Sequence, residues 1–386
     1  MSSAAMAGST TSPPPPNRSS LLRPLTLVLP LLLSVLAASF LYQDDSFSPL
    51  PLPMDALAGP PVAAPFVLGD MRKNSEFFHL EGCLGPEDVA YDDSQKVVYT
   101  GCEDGWIRKA GVEDLVPEKW VNTGGRPLGL MLGLHGEVIV ADTLLGLLNV
   151  TKDGKVEVLT GEAEGVKFKL TDAADVAADG TIYFTDATHK YSLRDCSLDI
   201  LEGRPNGRFL SYDPVTKETK VLVRDIYFAN GVVVSPDQEF VVYCETVMNR
   251  CKKYYISGEK KGTVGNFIDH LPGMPDNIRY DGEGHYWIAI PVGRAAAWDL
   301  ALGSPFLRRI LGNLEKHSLR PRIESNSGVF VVDLKGNPVA HYYDPSFSMI
   351  SSGTKIGNQV YCGSPSNPYI VRMNLTGLLP GGSSSA

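Results

Sequence analysis

Along most of the chain, short runs of β-branched and aromatic residues alternate with polar turns, the pattern of strands joined by hairpins. Pro275-Asp276-Asn277-Ile278-Arg279-Tyr280 turns at Asp281-Gly282-Glu283-Gly284 into Tyr286-Trp287-Ile288-Ala289-Ile290. The design recurs three more times. Pro86-Glu87-Asp88-Val89-Ala90-Tyr91 leads to Val97-Val98-Tyr99-Thr100, Thr171-Asp172-Ala173-Ala174-Asp175-Val176 to Ile182-Tyr183-Phe184-Thr185, and Ala229-Asn230-Gly231-Val232 to Phe240-Val241-Val242-Tyr243. Fainter copies start at Gly129 and Ser351. The six starts, Glu87, Gly129, Asp172, Asn230, Asp276 and Ser351, are spaced mostly by roughly 40–50 residues, the length of a propeller blade. The pattern therefore predicts an all-β, six-bladed propeller over 74–377, with the starts of the innermost strands converging on a central channel.

Two longer spacings hold insertions with a helical period. In His189 to Gly203 the apolar positions are Tyr191, Leu193, Leu198, Ile200 and Leu201. In Ser304 to Leu319, Phe306, Leu307, Ile310, Leu311 and Leu314 share one face, with Arg308, Arg309, Lys316 and Arg320 around it. Such a helix suits packing on the propeller surface, capping of the channel mouth, or lying on a membrane. At the N-terminus, 24–42 carries no charge and matches the ~20 residues of a bilayer span. Arg18 and Arg23 before it, and Asp44-Asp45 after it, predict a cytosolic tail over 1–23 and a transmembrane signal anchor over 24–42. The Ala37-Ala38-Ser39 end suits a cleaved signal peptide instead. In both cases the remainder leaves the cytosol, for the lumenal side of the endoplasmic reticulum or vacuolar membrane or for the outside. With the anchor kept, it is a type II membrane protein. Pro-rich 43–73 has no pattern and reads as a stalk, and 378–386 as a flexible tail.

The chain has 386 residues and a net charge of -9. That acidity, with no basic aromatic stripe, argues against a nucleic-acid partner. All six cysteines follow the apolar run. Cys244 and Cys251 would face each other across a hairpin, and Cys83 and Cys102 bracket the first repeat. Each pair is either a disulfide or two buried thiols. Asn149 and Asn374 head glycosylation sequons on the lumenal side, and Asn17 heads one on the cytosolic side.

The repeat starts carry the candidate chemistry. Glu87, Asp172, Asn230, Asp276 and Asn277 bring three carboxylates and two amides toward one channel, an all-oxygen set. Such a set suits calcium better than zinc, since no His or Cys occupies these positions. The ion would tie blades together, or polarise a carbonyl while Glu87 or Asp276 activates water. Serine-nucleophile elbows, His-Glu-x-x-His and phosphate-binding loops are missing from the sequence. His189 and His270, the histidines nearest the site in sequence, read as rim or packing residues, with a base role as the alternative.

Taken in order, Gly85-Pro86-Glu87-Asp88-Val89-Ala90, Gly105-Trp106-Ile107, Ile182-Tyr183-Phe184-Thr185-Asp186, Gly203-Arg204-Pro205-Asn206-Gly207-Arg208, Ala229-Asn230-Gly231-Val232 and Pro275-Asp276-Asn277-Ile278 resemble the strictosidine synthase-like family of plants and its adipocyte plasma membrane-associated relatives. The resemblance spans roughly Phe77 to Leu375. It implies a six-bladed propeller akin to the strictosidine synthases and, more distantly, to paraoxonase and gluconolactonase hydrolases, often with an N-terminal anchor. By that resemblance Glu87, Asn230, Asp276 and Asn277 fall where the hydrolases hold calcium, and Asp172 stands where they have Asn. Leu128 and Pro291 stand where those hydrolases have a histidine dyad. Ser348-Met349-Ile350-Ser351-Ser352-Gly353 stands where the synthases have a deprotonating Glu. The expectation is a calcium-binding hydrolase of small lipophilic esters or lactones. The alternatives are a Pictet–Spengler enzyme condensing an amine with an aldehyde, and a non-catalytic propeller in secretory or cell-wall and lipid assembly.

Overall fold

The computed structural model describes residues 46–378 apart from Ile323, together with Val28, 30–35 and Ala38. The chain divides into two units, Met1–Ser46 and Phe47–Ala386. In the first, Val28, 30–35 and Ala38 are helical. The remainder of the expected anchor, the tail over 1–23 with Asn17, and 379–386 lie outside the described residues. Among the described residues no helix is long and apolar enough to cross a membrane.

Among the described residues six sheets, five of four strands and one of five, form the blades of the second unit, one per repeat, and two short two-stranded pairs, Glu162–Ala163 with Val166–Lys167 and Gly273–Met274 with Val292–Gly293, lie beside them. The innermost strands of the blades are Ala90–Asp92, Pro127–Leu132, Thr171–Val176, Ala229–Val234, Ile278–Tyr280 and Thr354–Ile356. Each blade buries both faces against its neighbours. Leu130, Val138, Val140 and Leu148 of the second blade pack on Tyr99, Ile107 and Val121 of the first, while Ile139 and Leu147 pack on Phe184 and Leu210 of the third. Two-sided burial explains why the second strand of a blade, such as Val138–Asp142 or Phe240–Glu245, reads as a nearly continuous apolar run. Only outer strands such as Glu218–Ile226 alternate with solvent. Cys83 is bonded to Cys102, and Cys244 to Cys251 directly across the strand pair.

The ring closes with a strand from the far end of the sequence. The sixth blade takes its outermost strand, Ser75–His79, from the N-terminal side, paired antiparallel with Tyr369–Asn374. The fifth blade gains Phe66–Leu68, parallel to Pro338–Asp344. Residues 47–73 therefore do not form a stalk: Phe47, Leu52 and Leu57 are buried in the core, and Phe66–Leu68 belongs to a sheet. The sequence expectation fails here because single apolar residues among prolines carry no period.

Both insertions fold as helices, Cys196–Glu202 in the first and Ala296–Leu302 with Pro305–Lys316 in the second. Ser304 caps the last, accepting the Leu307 N–H at 3.3 Å, with Pro305 at its first position. Arg308, expected on the polar side, is the fully buried residue. Its guanidinium donates to the carbonyls of Leu201 and Glu202, which end the Cys196–Glu202 helix, and to that of Leu50. Glu202, also buried, accepts from Lys190 Nζ, the Tyr191 hydroxyl and the Ser48 N–H. Phe47 lies against Gly312, where a β-carbon would collide with its ring. Both insertions and residues 47–57 thus form one cap.

Candidate metal centre

The propeller brings the five expected residues to one place. A carboxylate oxygen from each of Glu87, Asp172 and Asp276 lies within 4.8 Å of the others. Asn277 Nδ2 donates to Glu87 Oε1 at 2.8 Å, and the Asn230 side chain bonds Asp276. All five side chains are buried. Their donor set is incomplete: Glu87 Oε2, Asn230 Oδ1 and Asn277 Oδ1 have no partner. Three buried, unpaired oxygens on neighbouring side chains are what a hard cation takes up.

The electrostatics point the same way. Burial, then the charges of Asp276 and Asp88, push the Glu87 carboxyl well above its ordinary range. Burial and Glu87 do so for Asp172, and burial and Asp172 for Asp276. Among the described residues no cationic side chain pairs with any of the three. Arg279 pairs instead with Asp88 and donates to the Leu130 carbonyl at 2.8 Å. Arg126 spends its donors on the carbonyls of Gly85, Gly101 and Pro127. The set fits a divalent ion bound by oxygen, and calcium best of these, because five protein oxygens suit its high coordination number.

Backbone contacts fix the clustered residues, and these contacts were not legible as chemistry. A β-carbon on Gly129, Gly231 or Gly363 would collide with the carbonyl of Asp172, Asp276 or Glu87 in the next blade. Gly129 marks its repeat without a polar side chain for this reason: it admits the ligand strand beside it. Hydroxyls tie the same stretch. Thr185 Oγ1 donates to the Asn230 carbonyl, Thr246 Oγ1 to that of Pro275, and Ser351 Oγ to that of Glu87, all between 2.7 and 2.9 Å. A hydroxyl recurring near the end of the second strand, as in Thr100, Thr185 and Thr246, is the signal that was available.

Glu87, Asp172, Asn230 and Asp276 floor a cavity of about 280 Å³ beneath the cap. Its walls are largely apolar and include Leu128, Leu170, Phe228, Met274, Val292 and Met349. Leu128 and Pro291 line it, and among the described residues no histidine does. His189 sits elsewhere, its Nδ1 2.6 Å from the Asn206 carbonyl, and His270 packs on Gly59. Glu315 of the Pro305–Lys316 helix also lines the cavity, so this helix caps the channel mouth. Of the sequon residues, Asn374 is exposed, whereas Asn149 stands half-buried in a middle strand with its Oδ1 unpaired.

Comparison with known proteins agrees with this architecture. A profile for strictosidine synthase matches residues 172–259, and one for the N-terminal part of strictosidine synthase-like proteins matches 73–109. Strictosidine synthase-like 7 of Arabidopsis thaliana is 50% identical over 91% of this chain and 94% of its own length. The adipocyte plasma membrane-associated protein of Gallus gallus is 32% identical over 91% of this chain and 89% of its own. Among solved structures, a gluconolactonase of Xanthomonas campestris superposes with a TM-score of 0.57 at 15% identity, covering 84% of this chain and 98% of the other. The calcium-binding protein regucalcin of Agrobacterium tumefaciens gives 0.55 at 14%, covering 81% and 95%. At such identity these two likenesses concern the fold alone.

Proposed function

The chain belongs to the strictosidine synthase-like family, and from that membership we propose that it is a calcium-binding hydrolase of small lipophilic esters or lactones. The observation that carries this reading is the buried oxygen cluster, with three oxygens unpaired, at the floor of an apolar cavity. A calcium ion there supplies Lewis-acid polarisation of a carbonyl and positive charge for a developing oxyanion. The apolar wall holds the lipophilic part of the substrate and limits water at the floor. Glu87 and Asp276 place carboxylates at the cavity floor, in position for either to take a proton from an attacking water.

The condensing alternative lacks its base, since Ser348 to Gly353 offers no carboxylate to the cavity. Where the apolar run 24–42 is kept as an anchor, the propeller sits on the lumenal side of a secretory-pathway membrane. Glycan at Asn374 in microsomes would support that placement, and a microsome-bound propeller left unglycosylated and open to added protease would count against it.

Hydrolysis of aryl esters and lactones by the full chain, with calcium and then with EDTA, tests the activity. Turnover is expected only with calcium and falls at least about 100-fold in Asp276→Ala, the size of loss seen when a proton-transfer group is removed. A rate indifferent to EDTA and to this substitution would sink the hydrolase reading. No turnover, in a chain that calcium still stabilises, would favour a structural ion and a non-catalytic role in secretory or cell-wall and lipid assembly.

A further inference from the structure

The cap wall of the cavity has a chemistry the floor does not use. It includes Arg194 beside the Cys196–Glu202 helix, Trp298 of the Ala296–Leu302 helix, Glu315 of the Pro305–Lys316 helix, and Arg320, Arg322 and Glu324 after it. Arg320 is satisfied: its Nε and Nη2 reach Glu315 Oε2 and Glu324 Oε1, each at 2.6 Å, and it lies over the Trp298 ring at 5.9 Å. The other Glu315 oxygen accepts the Ser197 hydroxyl at 2.8 Å. Most of what remains is donors. Trp298, only 6% exposed, has its indole N–H without a partner. Arg194 and Arg322 are exposed at the cavity and form no hydrogen bond or ion pair among the described residues, although Arg322 lies near enough to Glu315 to help lower its pKa. Glu324 Oε2 is the unpaired acceptor on this wall, on a carboxylate already held by Arg320.

We propose that this wall is an anion subsite, which takes the acidic end, carboxylate or phosphate, of a lipophilic substrate whose carbonyl lies at the oxygen-lined floor. The proposal rests on the floor being the reaction centre. Two free guanidiniums and a buried indole N–H are all donors, and guanidinium matches the oxygens of carboxylate or phosphate with paired hydrogen bonds. The protein carries net charge -9, so an anion is drawn here by the local cluster and not by the overall field. Between the two polar ends, Leu128, Leu170, Phe228, Met274 and Val292 fit an aliphatic or aromatic body. At about 280 Å³ the cavity is small for a ligand site, which restricts that body to a short one.

The test is calorimetric binding to the full chain in detergent, with EDTA and separately with calcium. The probes are monoethyl suberate, with one acidic end, the neutral diethyl suberate, and octyl phosphate. The acid-ended probes are expected to bind about tenfold more tightly than the diester under both conditions, as charge-assisted hydrogen bonds permit. The tighter of monoester and phosphate identifies the natural anion. Arg194→Gln with Arg322→Gln, both surface positions, should bring the acid-ended probes to the affinity of the diester. Trp298→Phe, which keeps the ring, should weaken those probes a few-fold and leave the diester alone. Equal affinities for acidic and neutral probes would overturn the proposal, as would a preference that survives in the double variant. A preference seen only with calcium would place the acid on the floor ion, and would overturn it too. Preference without hydrolysis under any condition would uphold the subsite while removing the hydrolase reading.

Discussion

Glu87, Asp172 and Asp276 are each held above their ordinary pKa by burial and by one another, and this ties stability to pH. Above the normal carboxylate range the native cluster keeps protons that the unfolded chain has lost, so stability falls as pH rises through that window. A calcium ion held by the ionised cluster would bind only the folded ring, and should reverse the trend. Melting in EDTA should therefore drop by several degrees between about pH 5 and about pH 8, at roughly 2–4 °C per kcal/mol. With calcium the drop should vanish or invert. Identical profiles with and without calcium would mean that the cluster holds no ion.

At the scale of elements, the cap hangs on Arg308. Its guanidinium satisfies three carbonyls from two separate segments, and neither has another side-chain donor at those oxygens among the described residues. Arg308→Met removes the side-chain donor from the Leu201 and Leu50 carbonyls, while that of Glu202 keeps the Leu50 N–H at 3.0 Å, at a cost of about 1–3 kcal/mol. The expected result is faster tryptic cleavage in the cap while calcium stabilisation persists, since every proposed ligand lies on a propeller strand or just before one. Cleavage at the wild-type rate would show that the cap is held elsewhere.

The same elements show what could be read in advance. Strands and turns were legible because apolar runs broken by Asp-Gly and Ser-Pro-Asp leave a period that survives insertions. The clustered residues were legible because an acid or amide recurs where a sheet would favour an apolar residue. Arg308 was not, because a helical period assigns charge to solvent and cannot see a neighbouring helix end. The glycines behind the ligands were silent as well, since their role is to lack a side chain.

For the molecule as a whole, the boundary of the folded unit lies before the first blade. Phe47, Leu52 and Leu57 bury in the cap cluster, at about 1.5–3 kcal/mol each. A fragment starting at Asn74 keeps four strands in each of the six blades but loses these anchors, together with buried Met71 and the Phe66–Leu68 strand. It should melt about 10 °C below one starting at Ser46, as seen by calorimetry. Equal melting would mean that these contacts contribute little.

Closure of the ring by Ser75–His79 also has a consequence during synthesis. This strand leaves the ribosome early, yet its partner Tyr369–Asn374 is almost the last part made. At about 5–20 residues per second, the first edge waits roughly 15–60 s for the second. Throughout that interval the nascent chain offers an open β edge at one end and incomplete blades behind it, a state prone to joining other chains. Its yield in a cell should therefore depend on the supply of chaperones more than on the stability of the finished ring.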